Sequence, residues 1–334
     1  MNNPFYVLGY DIGGTKVAIC LAVCNEVNEE GVLIPARIVA SKRIPGGSKQ
    51  GPDTAVPQMK AAGTELLEEQ GVTAEALRAV GVCAPGPLDV INGEMLVSPN
   101  MPLWDRVPIV KELEDYFEVP VKFENDANGA VLAEYLFGTA RGKKNAVYLT
   151  MSTGVGAGVI VNGQLVTGHS GLAGELGHNI LDINGPKCGC GMNGCLEAFC
   201  GGKPFEDRAK AAARADENHP FRSIEEIEGD IEKLCVRVIR DAAFAGHEEA
   251  GKWWDEFCLR LAQGIGIAMM TFNPEVVVLG TIAIHSKELL LDPVREYLPR
   301  FAWKEMLNDC EIEPSILGTK IGELAGVAVA LYTD

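Results

Sequence analysis

Residues 7–23 read as an apolar strand, a turn carrying Gly13 and Gly14, and a second apolar strand. Residues 146–161 repeat that scheme, with Ser152, Thr153, Gly154 and Gly156 in the turn. A strand–glycine turn–strand unit met twice in one chain implies an internally duplicated fold. Neither turn matches the dinucleotide or P-loop fingerprints, because each leads into another strand and no Gly-Lys-Ser/Thr opens a helix. Glycines let the backbone approach a ligand closely, and the exposed amides of such turns bind phosphate oxygens. Taken alone, the first reads as an ordinary hairpin turn. As a pair facing one another they would clamp a nucleotide's phosphates from both sides. The candidate phosphate residues are Gly13, Gly14, Thr15, Lys16, Ser152, Thr153, Gly154 and Gly156, and Asp11 at the strand end suits magnesium held through water.

A chain of 334 residues is long for one domain and leads us to expect two lobes. Hydrophobic residues make up 47% and charged residues 22%, enough apolar material for sizeable cores. The formal net charge of −17 lacks the cationic footprint of a nucleic-acid binder, so no nucleic-acid partner is expected. The first residues show neither a basic leader nor a long apolar segment, and no stretch has the length of a membrane span. A cytoplasmic protein without a membrane partner is expected.

Between Gly177 and Glu197 the chain places His178, Cys188, Cys190 and Cys195 within reach of one metal ion. Three thiolates and an imidazole form a closed tetrahedral zinc set, and the intervening glycines let a tight loop turn its sulfurs inward. The other cysteines are scattered through apolar stretches of a long chain, unlike a disulfide framework. Glu175 and Glu197 flank the four ligands, so this clamp with acidic hydrogen-bond acceptors suits a polar ligand such as a sugar.

Further motifs follow the same order along the chain. Val119–Phe123 reads as a strand and Ala127–Phe137 as a helix, which sets Asp126 where an N-cap belongs. Ala84-Pro-Gly86-Pro-Leu-Asp89 is a rigid loop or a plain Pro-Gly turn. Trp253, Trp254, Phe257, Leu261, Ile265 and Ala268 recur at helical spacing and read as core. Pro274 ends that helix, and Val276–Gly280 reads as a buried strand. The acidic run Glu225–Glu232 reads as a solvated face.

Asp11-Ile-Gly-Gly-Thr-Lys16, Ala84-Pro-Gly-Pro87, Glu124-Asn-Asp-Ala-Asn128, Ser152-Thr-Gly-Val-Gly156, Gly171-Leu-Ala-Gly-Glu-Leu-Gly-His178 and the Cys188–Glu197 run together resemble the ROK family (repressors, open reading frames and kinases) in its sugar-kinase branch. The resemblance implies an α/β fold of two actin-like, ribonuclease H-like lobes with a structural zinc loop. The small lobe is expected over 1–126, joined by a C-terminal helix at about 319–334, and the large lobe over 127–318 with the zinc loop at 178–195.

The same resemblance implies ATP-dependent phosphorylation of the 6-hydroxyl of a hexose, glucose first, with Mg2+ and ATP between the lobes and Zn2+ as a structural ion. It makes Asp126 the catalytic base, and Gly86, Asn100, Asn125, Glu175, His178 and Glu197 the sugar contacts. Asn100 falls in a segment, Asn100-Met-Pro-Leu-Trp104, similar to the family's Asn-x-Pro-x-Trp, and a loop-anchoring role is its alternative. Gly280 and Thr281 fall where the family has a Gly-Gly turn near the nucleotide base; Thr281 departs from that pattern. Fructose, mannose, allose and N-acetylhexosamine are alternative acceptors, polyphosphate an alternative donor, and a non-catalytic sugar-binding regulator an alternative role. Asp11 lies eleventh in the chain, so no DNA-reading head is expected before it. A homodimer or homotetramer is expected.

Overall fold

The computed structural model describes residues 4–27, 33–48, 50–97 and 101–333. In chain order the first elements are β1 (Phe5–Ile12), β2 (Lys16–Val27), β3 (Leu33–Pro45), α1 (Pro52–Glu69), β4 (Leu77–Ala84), β5 (Leu88–Asp89), β6 (Glu94–Met95), α2 (Ile109–Phe117), β7 (Val121–Asn125) and α3 (Asp126–Phe137). There follow β8 (Ala146–Met151), β9 (Val155–Val161), β10 (Gln164–Leu165), α4 (Leu196–Cys200), α5 (Gly202–Ala215), α6 (Val236–Phe244), α7 (Glu248–Phe272), β11 (Val276–Leu279), α8 (Ile282–Ser286), α9 (Glu288–Tyr297), α10 (Lys304–Asp309), β12 (Glu311–Pro314) and α11 (Ile321–Leu331). Residues 1–144, 158–174 and 316–334 group as a first unit, and residues 145–157 and 175–315 as a second.

The duplication is written in the sheets. One has the order β3-β2-β1-β4-β7 and the other β10-β9-β8-β11-β12, the same winding in both. In each, a hairpin strand precedes a parallel run: β1 pairs with β4 and β4 with β7, as β8 pairs with β11 and β11 with β12. The antiparallel β1–β2 and β2–β3 pairs complete the first sheet.

Strand β1 is buried on both faces, and its alternation sorts the side chains between two cores. Leu8, Tyr10 and Ile12 pack with Met59 and Leu66 of α1 and Leu113 of α2. Val7 points the other way, to Val327 and Ala330 of α11. The Tyr10 hydroxyl, fully buried, donates to the Met59 carbonyl at 3.2 Å.

Helix α11 touches the first sheet almost backbone to backbone. A Cβ on Gly81 would lie 2.0 Å from the Gly326 carbonyl oxygen, and one on Gly326 would lie 2.8 Å from the Gly9 Cα. Both obstacles are main chain and cannot rotate away. Gly81→Ala should therefore cost about 1–3 kcal/mol or more, as overpacking of a rigid core does. Urea unfolding followed by circular dichroism measures it; a midpoint equal to wild type would show that α11 can shift freely.

In the second unit α7 runs for 25 residues with Trp254, Phe257, Leu261, Ile265 and Ala268 buried, as the spacing predicts, while Trp253, read as core with them, is only partly buried. It stops at Phe272, before the proline: Asn273 takes a left-handed φ of 45° and its N–H donates to the Met269 carbonyl. Glu225, Glu226, Glu228 and Glu232 are exposed, the solvated face expected of them. Among the described residues no helix is long and apolar enough to cross a membrane.

Candidate functional site

In the first unit the C-terminal ends of β1, β4 and β7 lie side by side, with Asp11 opposite Cys83 and Ala84 opposite Asn125. Sheet ends of this kind expose backbone and side chains to one ligand. Asp11, the loop carrying Gly86, and the Asn125-Asp126 pair are thereby gathered. Gly86 is exposed, with open space where a side chain would be. Asn100 lies outside the described residues.

The cap position differs from the sequence expectation by one residue. Helix α3 begins at Asp126, and Asn125 is its cap, accepting through Oδ1 from the Asn128 N–H at 2.6 Å. Asp126 sits in the first helical turn with an exposed side chain. Both residue types cap well, and only the backbone path decides between them. Glu124 Oε2 accepts from the Asn128 side chain at 2.8 Å and stiffens the same turn.

Burial, and after it the charge of Asp126, pushes the Asp11 carboxyl up to about 6, with Lys16 opposing. An acid whose proton affinity is raised by a neighbouring carboxylate marks a place where a divalent cation would relieve the repulsion. The donor set, carboxylate oxygens of a partly buried Asp11 and an exposed Asp126, fits magnesium. The same shift has a sign for stability: a carboxyl raised from 3.8 stabilises the fold while protonated, and that contribution is lost as pH rises through about 6. In metal-free buffer Asp11→Asn should hence stabilise the protein at pH 7.5 by on the order of 1–3 kcal/mol, with the gain vanishing toward pH 4. Thermal melts across that range check it; a difference that does not change with pH contradicts the burial of a charged Asp11.

The first glycine turn rests on a loop that motif reading passes over. Gly46, Gly47 and Ser48 donate their N–H groups to the carbonyls of Thr15, Gly13 and Gly14 at 3.0, 3.2 and 2.8 Å. A Cβ on Gly46 would strike Lys16 N at 2.3 Å. The indole N–H of fully buried Trp104 is shared by the carbonyls of Gly47 and Gln50 at 3.1 and 3.2 Å. Trp104, noted in the sequence only as the end of a motif, thus anchors the support of the turn. The Gly46-Gly47 pair was the available signal.

The second unit holds the second turn and the metal loop. Ser152 N–H closes the turn onto the Gly154 carbonyl at 3.0 Å, and the N–H groups of Gly202 and Lys203 at the start of α5 donate to the Ser152 and Thr153 carbonyls at 2.8 and 2.9 Å. At the end of β11, a Cβ on Gly280 would lie 2.1 Å from the Tyr148 hydroxyl. Thr281 adopts φ 47°, a conformation a β-branched residue rarely takes, and its hydroxyl lies 3.2 Å from that of Thr150. The backbone there keeps the shape of a glycine without the glycine.

His178, Cys188, Cys190 and Cys195 bring four ligand atoms within 4.8 Å of one another. Cys188 Sγ is 3.7 Å from His178 Nδ1, and Cys190 Sγ is 3.7 Å from Cys195 Sγ. Zinc–sulfur bonds of about 2.3 Å in a tetrahedron give an edge of about 3.8 Å, so the cluster fits zinc in both donor type and spacing. The loop is preformed by its backbone: Cys188 N–H donates to the Met192 carbonyl at 2.8 Å, Gly194 N–H to Pro186 at 2.7 Å, and Leu181 N–H to Gly194 at 2.8 Å. Cys200 stays out of the cluster, buried with its thiol on the Phe257 carbonyl at 3.5 Å.

Glu175 is exposed at the start of the short turn that carries His178, whose N–H donates to its carbonyl at 3.0 Å. Glu197, in the first turn of α4, is partly buried. Its Oε2 accepts from the Val155 N–H at 3.0 Å, and the Cys188 thiol donates to its Oε1 at 3.5 Å.

A sequence profile described as the ROK family matches residues 7–332. The glucokinase of Thermotoga maritima is 31% identical over 97% of this chain and 96% of its own length. The xylose repressor of Bacillus subtilis is 31% identical over 72% of this chain and 58% of its own length. Among solved structures, the ROK hexokinase of Thermus thermophilus superposes with a TM-score of 0.80 at 30% identity, covering 98% of both chains. A ROK glucokinase of Streptomyces griseus, solved with glucose and AMPPNP, gives 0.73 at 29% identity over 97% of this chain and 99% of that one. With an actin-like sugar-kinase fold and a family match from one end of the described chain to the other, the protein belongs to the ROK family.

Proposed function

We propose that this chain is an ATP-dependent sugar kinase that phosphorylates the 6-hydroxyl of a hexose, glucose first. The observation that carries the reading is the acidic pair at the sheet end, Asp11 and Asp126, with Asn125 making the helix cap in place of the aspartate. Asp126 takes the proton of the acceptor hydroxyl as that oxygen bonds to the γ-phosphorus and the bond to the ADP oxygen breaks. Magnesium, when bound by way of Asp11, supplies neutralising charge to the polyphosphate. The turns at Gly13–Lys16 and Ser152–Gly156 offer amides to phosphate oxygens, and Gly280 and Thr281 border the nucleotide. Gly86, Asn100, Asn125, Glu175, His178 and Glu197 orient the sugar. Because Asn125 Oδ1 is engaged in the cap, its amide nitrogen is the group that donates to a hydroxyl. His178 Nδ1 faces Cys188, which supports Nε2 as the sugar contact, and zinc would fix the orientation of that ring.

Relatives named glucokinase, aligned over nearly their whole length, support the kinase; relatives named xylose repressor keep a sugar-binding regulator as the second reading. An ADP-release assay with a panel of hexoses at fixed ATP and magnesium separates the two. Turnover with glucose is expected. Binding of a sugar with no ADP released from any would replace the kinase by the regulator.

A further inference from the structure

Val155 is the residue at which the second glycine turn becomes strand β9; its N–H is held, and its carbonyl closely packed, by neighbours of the metal loop. Its N–H donates to Glu197 Oε2 at 3.0 Å. Its carbonyl oxygen faces Gly177, the residue before His178, so closely that a Cβ there would lie 1.9 Å away. Gly154, one residue earlier, has Glu197 Oε2 where a Cβ would lie 2.3 Å from it. Glu197 itself lies in the first turn of α4, whose N-cap is the metal ligand Cys195. A carboxylate accepting from a backbone N–H in a partly buried place makes a short, directional, charge-assisted bond.

From this geometry we infer that Glu197 is a positioning residue for the phosphate side of the reaction: it ties the Ser152–Gly156 turn to the first turn of α4, which follows directly on the metal ligand Cys195, so the metal loop sets the nucleotide-binding turn as well as the acceptor side. The inference rests on the kinase reading for the identity of the nucleotide, and on the hydrogen bonds alone for the strut. A turn that binds phosphate through its amides works only if those amides are aimed beforehand, and a free glycine-rich turn would have to be ordered by the ligand itself. Glu197 does that ordering in advance. The start of α5 holds the turn's carbonyls from the other side, through Gly202 and Lys203, which leaves the Val155 end dependent on Glu197.

A pure sugar contact and a strut part company in what they change. Affinity for Mg–AMPPNP, measured by titration calorimetry without sugar, and hydrogen exchange of the Val155 amide, measured by NMR, are the two readouts. Glu197→Met, which keeps the length and loses the acceptor, should weaken Mg–AMPPNP about tenfold or more and speed Val155 exchange by a similar factor. Glu197→Gln, whose amide oxygen still accepts from the Val155 N–H, should stay within about threefold of wild type in both. Chelated wild-type protein that remains folded should shift toward Glu197→Met. Wild-type AMPPNP affinity and wild-type Val155 exchange in Glu197→Met would overturn the inference. Wild-type protein that binds no Mg–AMPPNP would instead remove the kinase reading, and Val155 exchange in the same variants would still decide whether the strut exists.

Discussion

Asp126→Asn should lower kcat by about 10²–10⁴-fold while the sugar KM changes little, because removal of a positioned base takes away an interaction made mainly in the transition state. The substitution is nearly isosteric and leaves the Asn125 cap on the Asn128 N–H in place, so α3 and its register on β7 persist. It also removes one of the two charges at the end of the sheet, and with it a cause of the raised proton affinity of Asp11. The variant should therefore be folded, at least as stable as wild type near neutral pH, and close to inactive. Steady-state kinetics paired with a thermal melt tests both halves. Near wild-type turnover would exclude Asp126 as the base.

The second large effect concerns the metal. In the metal-free loop burial pushes the Cys188 thiol up to about 12, so a metal ion must compete with a tightly held proton. Metal affinity should fall steeply as pH drops, and mild chelation should act first on the loop. Loss of the ion frees the His178 ring, and the sugar KM should rise about 10–100-fold, the usual cost of disturbing a group that fixes a ligand's orientation. The two sheets do not depend on the loop for their strand pairing, so the thermal midpoint should fall later and less. Cys195→Ser, at a buried ligand, should reproduce the effect without chelator. An unchanged KM in protein shown by elemental analysis to be metal-free would reduce the cluster to a local staple.

Much of this was legible along the chain. The repeat of strand, glycine turn and strand foretold two sheets of one winding, because an apolar run on either side of a glycine turn has few ways to fold. The metal set was legible because its ligands lie within eighteen positions and glycines leave them one compact path. Helix α3 was legible to within a residue; two adjacent capping residues, Asn125 and Asp126, carry no local signal of which one turns the chain.

What was hidden depends on register between distant segments. Nothing near Val155 announces that a carboxylate 42 positions on will accept its N–H. Nor does Trp104 look different from any core tryptophan, though its indole pins the loop 57 positions earlier that supports the first turn. The segment 158–174 groups with the first unit, and no change of composition marks the crossing at Gly158. Gly9, Gly81 and Gly326 are unremarked singly; only the docking of α11 makes each one obligatory.

That docking gives synthesis a direction. The thiol of Cys20 in β2 donates to the carbonyl of Glu323, 303 positions later, and the glycine contacts join the same two ends of the chain. While the protein is being made, β1, β2 and β4 emerge with one face of their sheet bare, and the helix that covers it leaves the ribosome only after the second unit has followed them. The first unit must wait, half finished, for nearly the whole second unit to be translated. Its glycine-lined face is then the surface that a chaperone would shelter, and a stalled chain would expose it to solvent and to its neighbours.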